Sequence, residues 1–125
     1  MIKEAYVSFE VAKLLKEKGF AEPLVNYYYT TKGKRVDYLI PEEQYLCPTH
    51  QMACAWLREE KNIVIVIEPH AYDYTNEKTS SYVFSIWIGD NYIETYSNSK
   101  LRGISYLTYE DTVEAALKYS LENLL

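Results

Sequence analysis

The chain has 125 residues, 48% of them apolar and 25% charged, which suits one domain with a single core. Its net charge of −5 is uneven: residues 1–40 carry seven Lys and Arg against five acids, and the remainder carries six against thirteen. That acidic main body argues against a double-stranded nucleic-acid partner, which needs a basic face, and no apolar run approaches the roughly 20 residues of a membrane span.

Taken in order, the amino terminus lacks an uninterrupted apolar segment followed by a small-residue cleavage site, so a cytoplasmic location is the expectation. Ser8 before Phe9-Glu10-Val11 reads as a helix start, and Gly19 as its left-handed stop with Phe20 folding back onto the helix. Leu24–Thr30 and Lys34–Ile40 read as strands of a hairpin around Thr31-Lys32-Gly33, with Val36, Tyr38 and Ile40 on one face. Residues 41–48 hold two prolines and no clear period, and read as a connection.

Thr49 caps a second helix, in which Met52, Ala53, Trp56 and Leu57 share one face and Trp56 is the expected anchor; Lys61-Asn62 closes it. The run Ile63-Val64-Ile65-Val66-Ile67 follows. Five β-branched aliphatics leave no polar face, so this strand is expected to be covered on both sides or to sit centrally in its sheet. A polar stretch over residues 69–80 separates it from the strand Tyr82–Ile88, which turns at Gly89-Asp90-Asn91 into a third strand, Tyr92–Tyr96, completing a meander. After a polar loop over 97–105, Thr108 opens the last helix. There Tyr109, Val113, Ala116, Leu117, Ser120, Leu121 and Leu124 recur on one side, and Glu114, Lys118 and Glu122 on the other. The order α-β-β-α-β-β-β-α implies an α+β fold, an antiparallel sheet of about five strands with three helices mainly on one face.

Tyrosine is the compositional anomaly, at 14 residues. Its ring with a polar tip suits half-buried sheet positions and binding surfaces alike. Tyr27 and Tyr29 beside Lys32, Lys34 and Arg35 would place rings and cations on one hairpin, a platform for single-stranded nucleic acid. Together with Tyr72 and Tyr74, the same tyrosines are candidate contacts for a protein partner, since aromatic rings order at low entropic cost.

Cys47, His50, Cys54 and His70 are all the Cys and His of the chain, the count a zinc ion takes, with His50 and Cys54 one turn apart on the second helix. Their spacing matches no paired zinc pattern, and two free thiols in a reducing compartment are the plainer reading. A Cys-His hydrolase with Cys47 or Cys54 as nucleophile, His70 as base and Asp73 as orienter is the enzymatic alternative. Glu68, His70, Asp73 and Glu77 lack calcium-loop spacing, and four glycines supply neither a phosphate loop nor a dinucleotide fingerprint, so no cofactor is expected.

The segments Pro48-Thr49, Gln51-Met52-Ala53, Trp56-Leu57-Arg58-Glu59, Ile65 to Tyr72, Tyr109 to Leu117 and Leu121 to Leu124 resemble small uncharacterised proteins of gut bacteria and their phages. The resemblance implies a cytoplasmic accessory protein of a mobile element and carries no functional residue across. The expectation is a non-enzymatic protein that binds another macromolecule, a protein or a second copy of itself first.

Overall fold

A computed structural model describes residues 2–38, 44–70, 81–95 and 105–125. Ser8 is the N-cap of α1 (Phe9–Glu17), its hydroxyl accepting from the Val11 amide. The helix ends in a double turn: Phe20 N–H donates to the Leu15 carbonyl and Gly19 N–H to that of Lys16, with Gly19 at φ +97°.

The first hairpin forms as expected but is shorter. It comprises β1 (Tyr27–Tyr29) and β2 (Arg35–Val36), closed by the Thr30 amide on the Lys34 carbonyl. Its apolar face stops at Val36, because Tyr38 is 60% exposed. Ile40 lies outside the described residues. Within the expected connection, Tyr45–Cys47 is a strand, β3, which pairs antiparallel with β1. The hairpin therefore belongs to a small sheet of its own, β2-β1-β3, rather than to one sheet of about five strands.

Thr49 caps α2 (His50–Lys61), and Asn62 closes it in the left-handed region at φ 57°. The meander β4 (Ile63–Pro69), β5 (Tyr82–Ile88) and β6 (Asn91–Thr95) makes the second sheet, in the order β4-β5-β6 with a two-residue Gly89-Asp90 turn. Among the described strands the aliphatic one is thus at the rim, not the centre. A meander places its middle strand centrally whatever the composition, and β5 carries four consecutive buried residues, Val83 to Ile86, whereas Val64 to Ile67 on β4 are half-buried.

Thr108 accepts from the Asp111 amide and opens α3 (Tyr109–Asn123). This helix lies across β4 and β5, α2 packs beside it on β4, and α1 joins β3 to α3. Leu15, Leu57, Ile63, Ile86, Leu117 and Leu121 form the fully buried centre, and Trp56 meets Phe20 edge to face at 5.4 Å. The fold is α+β, with six described strands in two antiparallel sheets and three helices. No helix among the described residues is long and apolar enough to cross a membrane.

Candidate functional site: a cleft beside the rim strand

The three helix starts meet. The segment before α1 pairs with the segment before α2: Val7 N–H donates to the Pro48 carbonyl and His50 N–H to that of Ala5. Glu114 of α3 fastens the junction, its Oε1 accepting from the Ser8 amide at 2.8 Å and bonding His50 Nε2 at 2.9 Å. Burial disfavours the Glu114 carboxylate, but the hydrogen bonds from His50 and Ser8 together outweigh it and hold the group below its ordinary value. Glu114, on the side of α3 away from its apolar stripe, is thus held in the junction rather than left to solvent. Its partners are 64 and 106 residues away in the chain, so no local spacing could have announced them.

In front of this junction lies a cleft of about 420 Å³. Its floor is Ile65 and Ile67 of β4, with Val113 of α3 alongside. One wall is the face of α2 that carries Gln51, Cys54 and Arg58, and the end opposite Arg58 is framed by Lys3, Ala5 and Glu110. A mainly apolar hollow with a few convergent polar groups is the usual form of a binding site.

The cleft opens beside an edge of backbone. Gly89 N–H donates to the Asn62 carbonyl and His70 N–H to that of Ser81, so the even-numbered residues of β4 bond to β5. Ile65 and Ile67 consequently turn their own N–H and C=O groups away from β5, toward the side where no described strand pairs.

The chain matches no family model, no curated protein and no solved structure.

The residues singled out by sequence are dispersed. Among the described residues, no three Cys, His, Asp or Glu side chains gather as a metal would need, so Cys47, His50, Cys54 and His70 do not form such a group. Cys47 is fully buried and its thiol donates to the Val7 carbonyl at 3.6 Å; His50 is engaged by Glu114. His70 lies at the end of β4, where Ser81 Oγ donates to its carbonyl. Burial pushes the Cys54 thiol up to about 11 and raises Cys47 as well, so both stay protonated at neutral pH and neither is an activated nucleophile. Asp73, the expected orienter, lies outside the described residues.

On the first sheet, Tyr27 and Tyr29 are half-buried. Tyr29 donates its hydroxyl to the Val7 carbonyl at 2.7 Å and packs on Phe9, while Tyr27 meets Tyr6 edge to face. The Arg35 guanidinium lies 4.9 Å from the Tyr6 ring centre and 5.0 Å from that of Tyr27. These rings and this cation serve one another, and Lys32 and Lys34 stand exposed at the turn beyond. Tyr72 and Tyr74 lie outside the described residues.

Proposed function

We propose that the protein is a non-enzymatic binding module that takes an extended segment of another protein along the rim of its second sheet. The observation that carries this reading is the position of β4: an aliphatic strand at the edge of a sheet, with a hollow beside its inner face. Strand addition combines main-chain hydrogen bonds, which supply affinity, with pockets for alternate side chains, which supply specificity. The backbone of Ile65 and Ile67 offers the first, and the cleft over their side chains offers the second. Cys47 and His50 support the same reading, because their hydrogen bonds and burial commit them to the fold.

Selection of eight-residue peptides from a random phage-displayed library tests it. Enriched peptides are expected to lose at least tenfold in affinity for two variants that remain folded by circular dichroism. Ile67→Pro removes an outward N–H without breaking a bond to β5, and Cys54→Phe fills the cleft from α2. No enrichment over a control protein, or binding that both variants retain, overturns the proposal. Native mass spectrometry covers the other occupant: a monomer is expected, and a dimer abolished by Ile67→Pro would assign the edge to a second copy.

A further inference from the structure

The cleft is electrically asymmetric along β4, and the asymmetry sets both the direction and the sequence of what it holds. This inference rests on the peptide-binding reading above and deepens it. Helix α2 and β4 run in opposite directions from the turn at Asn62. At about 1.5 Å per helical residue, Arg58, Cys54 and His50 stand about 6, 12 and 18 Å from that turn. At about 3.3 Å per strand residue, those heights match Val64, the span between Ile65 and Val66, and the span between Ile67 and Glu68.

Arg58 is the charged residue that α2 contributes to the cleft, and it stands at the end where β4 begins. Its Nε donates to Glu59 Oε1 at 3.1 Å, an exposed contact between neighbours in sequence, and its side chain is 53% exposed. Glu59 thus stands beside Arg58 and shares its charge across a solvent-exposed contact that a second carboxylate can join or replace, while Glu59 and Glu60 also line a separate hollow with Met52 and Trp56. At the far end the cleft meets Lys3 with Glu4 and Glu110, one cation against two carboxylates, so that end does not favour an acidic side chain. Between the two ends, Ile65, Ile67 and Val113 make an apolar bed.

We infer that the cleft selects a segment of the form apolar–x–apolar–x–acidic, added antiparallel to β4, with its carboxylate on Arg58. Side chains two apart on a strand share a face. Two apolar residues opposite Ile67 and Ile65 therefore enter the cleft, and the third same-face residue arrives beside Arg58. An antiparallel segment runs from the Pro69 end toward the Ile63 end, which makes the acidic residue the C-terminal one of the three. A terminal carboxylate at that place supplies the same chemistry. Arg58 matches it geometrically as well as electrically, since a guanidinium fork binds a carboxylate through two parallel hydrogen bonds.

Synthetic fluorescein-labelled peptides test this by anisotropy: Thr-Ile-Thr-Ile-Thr-Glu, the same peptide with Gln or Lys for Glu, and the reversed Glu-Thr-Ile-Thr-Ile-Thr, each with blocked ends. The Glu peptide is expected to bind about fivefold more tightly than the Gln peptide, the size of a partly exposed ion pair, and the advantage to shrink in high salt. Arg58→Glu is expected to reverse the preference toward the Lys peptide. Equal binding of the Glu, Gln and Lys peptides, or a preference for the reversed peptide, overturns the inference while leaving the binding module intact. Failure of all four peptides to bind a protein that enriches other sequences from the library also overturns it. Failure of both experiments removes the binding module itself.

Discussion

The two sheets solve the same problem with different chemistry. The first has strands of three, two and three residues, and it is held by aromatic and cationic side chains: Tyr29 on Phe9, Tyr27 on Tyr6, Arg35 over both Tyr6 and Tyr27, and Lys16 over Tyr45 at 4.8 Å. The second has strands of seven, seven and five residues and is held by branched aliphatics under two helices. Short strands bury too little area for aliphatic packing alone, whereas a tyrosine covers a wide surface and anchors its tip by a hydrogen bond. The difference teaches where side chains are committed to one another. In the first sheet Tyr27, Tyr29 and Tyr45 each pack against a ring or a cation of the same chain. In the second, no described strand pairs with the outward backbone of the aliphatic strand β4, and the cleft lies over part of its inner face.

If the aliphatic sheet holds the main core, truncation at its centre has the largest effect. Ile86→Ala on β5 removes a fully buried side chain beneath the helices and is expected to cost about 2–5 kcal/mol in urea unfolding, with apparent loss of fold if the protein is marginal. A cost below about 1 kcal/mol would place the main core elsewhere.

The seam between the halves comes next. Glu114→Ala leaves the buried His50 ring and the Ser8 amide without their acceptor, at about 1–3 kcal/mol. Acid sensitivity reads the same carboxyl. Its folded-state pKa lies below the ordinary 4.5, so its contribution is fully present above that value and is lost as the pH falls through the lower folded-state value. Glu114→Gln is expected to flatten the fall in the urea midpoint between pH 5 and the acid limit. An unchanged acid slope would mean that another group controls it.

The same comparison explains how much was legible in the sequence. Capping and turn chemistry act within a few residues, so Ser8, Gly19, Thr49, Asn62, Gly89 and Thr108 marked the ends of their elements correctly. Long-range placement was not local. The uninterrupted aliphatic pattern of β4 suggested a strand covered on both sides or placed centrally; among the described strands, chain connectivity put β5 at the centre, and Ser85 is buried at its middle. The strand Tyr45–Cys47 was hidden by the prolines on either side and depends on pairing with β1. The cleft was equally invisible: Gln51, Cys54 and Arg58 repeat at near-helical spacing, but only the placement of β4 beneath them turns that face into a wall.

In the aromatic half, the hairpin turn rests on α1. Gly33 has φ +84°, and a Cβ added there would come within 2.8 Å of Phe9 Cδ2, with other atoms of that ring at 3.1 and 3.3 Å. Gly33→Ala therefore meets both backbone strain and a packed ring, and is expected to cost about 1–3 kcal/mol. Gly19→Ala has a comparable φ of +97° but open space around it, so the difference between the two isolates the ring contact. Equal costs would mean that Phe9 yields freely and that the turn is not seated on the helix.

The smallest effect belongs to Arg35, and it is the one that separates a structural cation from a binding one. Placed over the Tyr6 and Tyr27 rings at an exposed site, it is expected to contribute about 0.5–1 kcal/mol. Arg35→Ala should lower the urea midpoint by that amount, and Arg35→Lys by less, because a cation remains but planar stacking is lost. If the hairpin were instead a platform for single-stranded nucleic acid, Arg35→Ala would leave stability unchanged and weaken a fluorescein-labelled oligothymidine. A stability loss with no measurable oligonucleotide binding by the wild type keeps the cation in the fold and leaves the β4 rim as the surface to which partners must be matched.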